Sequence, residues 1–366
     1  MCNKRILCIV DVMNAGGAET MLMKLYRQLV TQGIQFDFAV LGDEDGCYDN
    51  EILRLGGMIY NISYLRKRRF PLWRLYGVFN FFRKYRYEYV LIPTSRCYRA
   101  MYGLMARLSG TKCVAIRSTN SSTCMGKYYD YIEKKVQFIP RISSHIRFAP
   151  SKIAGTFLFG DKTNVNILKN GVNLKDYVFS KSIREKKRYE LGIGNKFAVV
   201  HVGRFSKQKN HIFLLKVFKN ILKINGEAML VLIGTGELWP EIKIQIDKLN
   251  ITGNVIHFNN RYDVPQILMA MDIMIFPSLF EGMPNVVIES QATGLPCLIS
   301  DAITCECMIT DIVKMLPLAD NYEQWANLAW EMGRKSIDRT SYVTLLKHEG
   351  YNISDIAEYF KKCMGL

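Results

Sequence analysis

Short apolar runs alternate with helix-patterned stretches from one end of this chain to the other, and that alternation limits the folds open to it. Runs such as Ala-Val-Val-His-Val (198–202) and Met-Leu-Val-Leu-Ile (229–233) lack the apolar–polar alternation of a half-exposed strand, so they suit strands covered on both faces. Strands are predicted at 6–10, 36–41, 58–62, 89–92, 113–116, 147–149 and 164–168, and again at 197–202, 228–233, 255–258, 273–276 and 296–299. Strands separated by helices in this way form parallel sheets with helices on both faces. The predicted fold class is α/β, with two doubly wound, Rossmann-like domains facing each other across a cleft. The two series meet at Lys169-Asn170-Gly171-Val172-Asn173, a polar turn suited to an interdomain connection. Domains are therefore expected at 1–170 and 171–345. A last helix within 346–366, with Ile356, Tyr359, Phe360 and Cys363 on one face, is expected to pack back toward the first domain.

The length of 366 residues suits two cores, and a 49% hydrophobic content excludes a disordered tail or a collagen-like repeat. No apolar run approaches the ~18 residues that span a bilayer. Asp11 interrupts the first apolar stretch too early for an export signal, so a buried first strand is expected there. Ten scattered cysteines without metal-site spacing read as reduced thiols of a cytoplasmic protein.

Charge is uneven. Residues 1–170 hold 26 basic and 12 acidic side chains, a balance of +14, while the remainder holds 23 and 21, a balance of +2. A basic first domain predicts a polyanionic partner, and an anionic membrane surface fits best. The densest part runs from Tyr64 to Tyr87, where eight Lys and Arg mix with aromatics. Arg66 to Arg69 read as a loop able to touch lipid headgroups. Residues 71–86 read as an amphipathic helix that starts at Pro71 and turns Leu72, Leu75, Tyr76, Phe79 and Phe82 to a core, with a headgroup interface for the same aromatics as the alternative. No helix-turn-helix, zinc-finger or RNP pattern accompanies the charge, so nucleic acid is not an expected partner.

Ligands of open parallel sheets bind beyond the carboxyl ends of the strands, and the loops there hold the candidate chemistry. Gly16 and Gly17 follow the first strand and open a helix, where backbone N–H groups can receive a phosphate; a tight turn without ligand fits equally. After the 197–202 strand and Gly203 come Arg204, Lys207 and Lys209, cations suited to a diphosphate, with a solvated basic loop as the alternative. Gly234-Thr-Gly236-Glu237 forms a second glycine turn on the same edge. The richest stretch spans Phe276 to Asp301. In it Glu281 sits in a loop, Gly282, Met283, Pro284, Asn285 and Val286 lead into a helix, and Glu289 lies within that helix, which stops at Gly294. Each carboxylate can accept hydrogen bonds from two vicinal hydroxyls of a ribose or hexose.

Glu281 to Glu289 fits the E-x7-E signature, and the chain resembles retaining family 4 glycosyltransferases of GT-B fold. Gly16-Gly17-Ala18-Glu19, Asn170-Gly171-Val172, Val202-Gly203-Arg204 with Lys209-Asn210, and Gly234-Thr-Gly236-Glu237 match the same family in order. Residues 277–301 followed by Glu306 look like bacterial enzymes of exopolysaccharide or capsule synthesis. The resemblance implies hexosyl transfer from a nucleoside diphosphate sugar such as a UDP-sugar to a glycan or polyprenyl-phosphate-linked acceptor, in exopolysaccharide, capsule or O-antigen synthesis. It places the enzyme in the cytoplasm, peripheral at the inner face of the membrane, with no cofactor and no metal. Arg204 and Lys209 would neutralise the donor diphosphate, Gly16 and Gly17 admit it, Glu289 hold the ribose and Glu281 contact the transferred sugar. Gly203, Gly234, Gly236 and the backbone from Gly282 to Val286 would complete the donor site.

The chain departs from the family at the loops after the fourth and fifth strands, where members often carry histidines. Here those loops read Pro93-Thr-Ser-Arg96 and Arg117-Ser-Thr-Asn120. Arg117 and Asn120 stand as acceptor-side candidates, with a structural Arg117 equally open. Asp43-Glu44-Asp45 copies a metal-binding D-x-D pattern but reads as a solvated acidic turn. Two rivals stay open: a sugar-nucleotide epimerase of similar architecture, and a non-catalytic anion-binding protein.

Overall fold

The strand at Lys4–Val10 (β1) shows why both faces of the first sheet are apolar. Its alternate residues Ile6, Cys8 and Val10 enter one core with Leu22, Leu25 and Leu29 of the helix Gly17–Val30, while Leu7 and Ile9 enter a second core. The computed structural model describes residues 4–14, 16–66, 71–120, 127–319 and 321–366. The other strands of this sheet are Ile34–Val40 (β2), Ile59–Asn61 (β3), Tyr89–Thr94 (β4), Cys113–Ser118 (β5), Ile146–Ala149 (β6) and Asn166–Ile167 (β7). They lie in the order β3-β2-β1-β4-β5-β6-β7, and every pairing is parallel.

A second parallel sheet contains Ala198–Val202 (β8), Met229–Ile233 (β9), Val255–Phe258 (β10), Ile273–Phe276 (β11), Cys297–Ser300 (β12) and Val313–Leu316 (β13). Their order is β10-β9-β8-β11-β12-β13, so the chain reverses direction between β8 and β11, as it does between β1 and β4. Each reversal leaves the carboxyl ends of two neighbouring central strands open to a ligand. The chain divides into two units, Met1–Gly171 with Gly350–Leu366, and Val172–Glu349. The helix Ile353–Met364 belongs to the first unit. Its Phe360 packs 6.4 Å from Phe36 and 5.5 Å from Phe148, ring centre to ring centre. Gly171 lies so close to this helix that a Cβ there would fall 2.6 Å from a methyl of Ile353.

Three local expectations change. The strand predicted at 164–168 shortens to two residues at the sheet edge, and β13 is an edge strand whose Lys314 breaks the apolar run that would have marked it. The helix Pro71–Tyr85 is present, but its core side is Val78, Phe81 and Phe82 with Leu75 half-buried. Leu72 and Tyr76 are 78% and 55% exposed, so they do not face the core. The sequence is apolar on more than one side of this helix, and periodicity alone could not select the buried one. In the basic segment expected to touch lipid, Arg66 closes the short helix Ser63–Arg66, and Lys67 to Phe70 lie outside the described residues. Among the described residues, no helix is long and apolar enough to cross a membrane.

Candidate functional site

At the carboxyl end of β8 the backbone turns at Gly203-Arg204-Phe205, then passes through a 3-10 turn at Lys207–Lys209 into the helix His211–Ile224. Asn210 makes the bend between turn and helix in the left-handed region, at φ 53°. This turn is stitched to the loop after β11. The amide of Leu279 donates to the carbonyl of Gln208, and Gln208 Nε2 donates to the carbonyl of Phe280, both at 2.8 Å. The stitching brings Lys209 Nζ to 2.7 Å from Glu281 Oε1 and 4.3 Å from the centre of the Phe276 ring. Arg204 is elsewhere on the same edge. It is largely exposed and pairs with the exposed Glu237 at 3.1 Å, not with Glu281.

The glycine turns have a packing role. Gly234 has φ 146°, and a Cβ there would lie 2.1 Å from the carbonyl oxygen of Gly203. A Cβ at Gly236 would lie 2.3 Å from the carbonyl oxygen of Phe205. The two loops therefore touch backbone to backbone, joined by Phe205 N to Thr235 O at 2.9 Å and Leu238 N to Phe205 O at 3.1 Å. A Cβ at Gly203 would meet the aliphatic stem of Lys209, so this glycine lets the lysine cross the loop toward Glu281.

Beneath these loops runs a stack of rings. His257 lies 3.7 Å from Trp239, Trp239 5.2 Å from Phe205, Phe205 4.6 Å from His211 and His211 4.7 Å from His201. Burial lowers the pKa of His201 to about 4 and that of His211 to about 2, with Lys209 adding repulsion to both. Both rings are neutral at ordinary pH and serve as packing. His201 Nδ1 lies 2.9 Å from the carbonyl of Ile275, whereas neither ring nitrogen of His211 has a partner.

Glu289 stands on the helix Asn285–Ala292. Gly282, Met283 and Pro284 are buried before it, while Asn285, Val286 and Glu289 share its half-exposed stripe. Tyr177, in the 3-10 turn Leu174–Tyr177, gives its phenol to the Glu289 carboxylate, and burial together with that carboxylate holds the phenol pKa well above its ordinary value. On the buried side of the helix, Gln291 Oε1 accepts from the amides of Ile309 and Thr310, and Gln291 Nε2 donates to the carbonyl of Cys307. Tyr177, Gln208 and Gln291 escape sequence reasoning, since a Tyr or Gln with no local motif carries no sign of what it touches.

In the first unit, Gly16 caps the helix Gly17–Val30 without a side-chain hydrogen bond. A Cβ on Gly16 would lie 2.3 Å from the movable carboxylate end of Glu19. Arg117, at the carboxyl end of β5, is buried. Its Nη2 donates to Asn170 Oδ1 at 2.6 Å and to the carbonyl of Leu168 at 3.3 Å, while its Nε has no partner. Desolvation lowers its pKa to about 10, still a cation at neutral pH. These contacts make Arg117 an anchor for the chain after β7. The backbone carbonyl of Asn120, close by, accepts from Ser118 Oγ at 3.3 Å. Asp43, Glu44 and Asp45 are exposed after β2, and among the described residues no three His, Cys, Asp or Glu converge as a metal site.

Residues 183–332 match the family described as Glycosyl transferases group 1. The chain is 31% identical over 331 residues to the Bacillus subtilis (strain 168) protein named "Putative glycosyltransferase EpsF", covering 88% of this chain and 86% of that one. It is 27% identical over 260 residues, 68% of this chain and 66% of the relative, to the UDP-Gal:alpha-D-GlcNAc-diphosphoundecaprenol alpha-1,3-galactosyltransferase of Escherichia coli. Among solved structures, Anabaena HepE in complex with UDP and glucose superposes with a TM-score of 0.79 at 16% identity, covering 99% of both chains, and the shared fold is GT-B.

Proposed function

The chain belongs to the group 1 glycosyltransferases, and from that membership we propose that it moves a hexosyl group, with anomeric configuration retained, from a nucleoside diphosphate sugar to a lipid-linked glycan. The pairing of Lys209 with Glu281 at the carboxyl edge of the second sheet carries this reading. It sets one cation and one carboxylate side by side, and a sugar diphosphate needs both. Its diphosphate draws the ammonium, and its sugar hydroxyls donate to the carboxylate.

In this reading Arg204 and Lys209 meet the charge that grows on the diphosphate as the anomeric C–O bond breaks, and the N-terminus of the Asn285–Ala292 helix adds its dipole. Glu281 contacts the transferred sugar, and Glu289, held by Tyr177, takes the ribose hydroxyls. The backbone from Gly282 to Val286 binds phosphate and sugar, while Gly203, Gly234 and Gly236 keep the loop shape that offers Arg204 and Lys209. In the first unit, Gly16 and Gly17 admit the diphosphate, and Arg117 and Asn120 stand on the acceptor side. The Escherichia coli relative is named for UDP-galactose and a diphosphoundecaprenol-linked sugar, and HepE holds UDP. A UDP-sugar and a polyprenyl-diphosphate-linked acceptor are accordingly the substrates proposed, in exopolysaccharide, capsule or O-antigen assembly at the inner face of the cytoplasmic membrane.

The test is transfer from a panel of UDP- and GDP-sugars to a polyprenyl-diphosphate-linked sugar. A glycan lengthened by one residue, with the donor's anomeric configuration, is expected. Conversion of the donor without acceptor would replace this reading with epimerisation.

A further inference from the structure

Along the outer edge of β3, beside the helices Ser63–Arg66 and Pro71–Tyr85, runs a groove of about 530 Å³ lined by none of the candidate site residues. β3 is the last strand of its sheet, so no further strand covers that side. The volume falls among those of clefts that hold small ligands. Its floor is aromatic. The Tyr60 ring lies 4.6 Å from that of Tyr85 and meets Phe81 edge-on at 5.5 Å, while Phe81 lies 4.7 Å from Tyr85. Tyr64 and Tyr76 add two further rings, 53% and 55% exposed.

The groove is held in shape from below and from its sides. Tyr60 Oη lies 3.1 Å from Tyr87 Oη, and Tyr87 Oη donates to Asp37 Oδ2 at 2.7 Å. The buried Asp37 accepts two further bonds from Arg5 at 2.6 Å, so a chain of fixed polar contacts seats the Tyr60 ring. Arg74 Nε donates to the carbonyl of Leu65 at 3.2 Å and ties the two helices together.

Polar groups in the lining await a partner. Asn61 Oδ1 accepts from the Ser63 amide at 2.9 Å, which leaves its NH₂ open, and the exposed Asn80 has no partner among the described residues. Lys84 is the charged residue of the lining. Its Nζ lies 5.1 Å from the centre of the Tyr85 ring and meets no carboxylate among the described residues. From Tyr64 to Tyr87 the sequence contains eight Lys or Arg and no Asp or Glu, so the field around the groove is positive.

We propose that this groove is a second glycan site, apart from the site of transfer, and that it takes a sugar chain bearing carboxylates. The C–H faces of pyranose rings lie against the negative faces of the tyrosines, and their hydroxyls bond to the Asn61 and Asn80 amides. A carboxylate on the chain pairs with Lys84. A wholly apolar ligand would leave both amides and the ammonium without partners. That the chain bound is the one being lengthened rests on the transfer reaction proposed above, whereas the chemistry of the groove does not.

The full-length protein, labelled with 3-fluorotyrosine, is titrated with the hexamer of galacturonic acid and with neutral cellohexaose. No donor or lipid-linked acceptor is added, so failure of groove binding and failure of transfer are separate results. Fluorine resonances of Tyr64 and Tyr76, assigned by single Tyr→Phe substitutions, are expected to shift with the acidic hexamer at lower concentration than with the neutral one, by a margin that shrinks with salt. Lys84→Met is expected to bring the two affinities within about twofold of each other. Tyr64→Ala with Tyr76→Ala removes only exposed rings, and is expected to weaken both hexamers about tenfold while UDP affinity and circular dichroism stay as in wild type. Resonances that neither hexamer moves would overturn the proposal, as would undiminished binding by the double variant or equal binding of the two hexamers by wild type. Reversal of the shifts on adding UDP would also overturn it, by assigning the glycan to the site of transfer.

Discussion

Lys209 Nζ lies 2.7 Å from Glu281 Oε1, with 15% and 13% of the two side chains exposed, so each charge depends on the other for its solvation. Removing one partner of such a pair strands the other. Lys209→Met is expected to cost about 3 kcal/mol in urea unfolding, whereas Lys209→Met with Glu281→Gln recovers part of that stability and none of the donor binding. Equal stability of the single and double variants would show that the pair is not coupled.

The phenol of Tyr177 acts on Glu289 through one hydrogen bond. Tyr177→Phe keeps the ring and deletes that donor, so UDP affinity should fall about fivefold or more, corresponding to roughly 1 kcal/mol, with little change in melting temperature. Calorimetric titration with UDP checks it. Unaltered affinity would mean that Glu289 holds its position without the phenol.

Gly234 and Gly203 touch through their backbones, and no side chain can move aside to make room. Gly234→Ala should therefore destabilise the protein by about 2 kcal/mol or more, and it should weaken nucleotide binding by displacing the loop that offers Arg204 and Lys209. Gly253, with nothing within 4 Å of where a Cβ would stand, is the control, and Gly253→Ala should stay within about 0.5 kcal/mol of wild type. Thermal unfolding of the two variants compares them directly.

Strands such as Ala198–Val202 and Met229–Ile233 were legible because a strand buried on both faces must be apolar throughout, and glycine punctuation marked where they end. The α/β class follows from that alternation, and GT-B from the family resemblance that the ordered motifs carry. The solvent side of Pro71–Tyr85 was not legible, because a helix apolar on two sides satisfies a helical period whichever side is buried. Nor could spacing show that Arg204 pairs with Glu237 while Lys209 pairs with Glu281, since that choice depends on the bonds Gln208 makes to the Phe276–Glu281 loop. Arg117 was open between ligand and structure, and its contacts with Leu168 and Asn170 supply the structural half of that pair.

The histidines beneath the loops make stability depend on pH. Folded-state pKa values of about 4 for His201 and about 2 for His211 lie below the ordinary value of 6.5, so the unfolded chain binds protons first. Their contribution is complete above pH 6.5 and is lost as pH falls toward 4 and then 2. His211→Phe loses no hydrogen bond, since neither ring nitrogen has a partner. Between pH 6 and 4 its urea stability should fall less steeply than that of wild type, by about 1 kcal/mol per pH unit. Parallel slopes would mean that His211 is solvated in the folded protein.

Binding of a panel of UDP- and GDP-sugars to the purified protein, with Glu289→Ala measured beside wild type, tests the donor site most directly. Selective binding of one nucleotide class, about tenfold or more weaker in the folded variant, is the predicted result. Binding of equal strength in both proteins, or none by folded wild type, would contradict a donor site built on Glu281, Glu289 and Lys209.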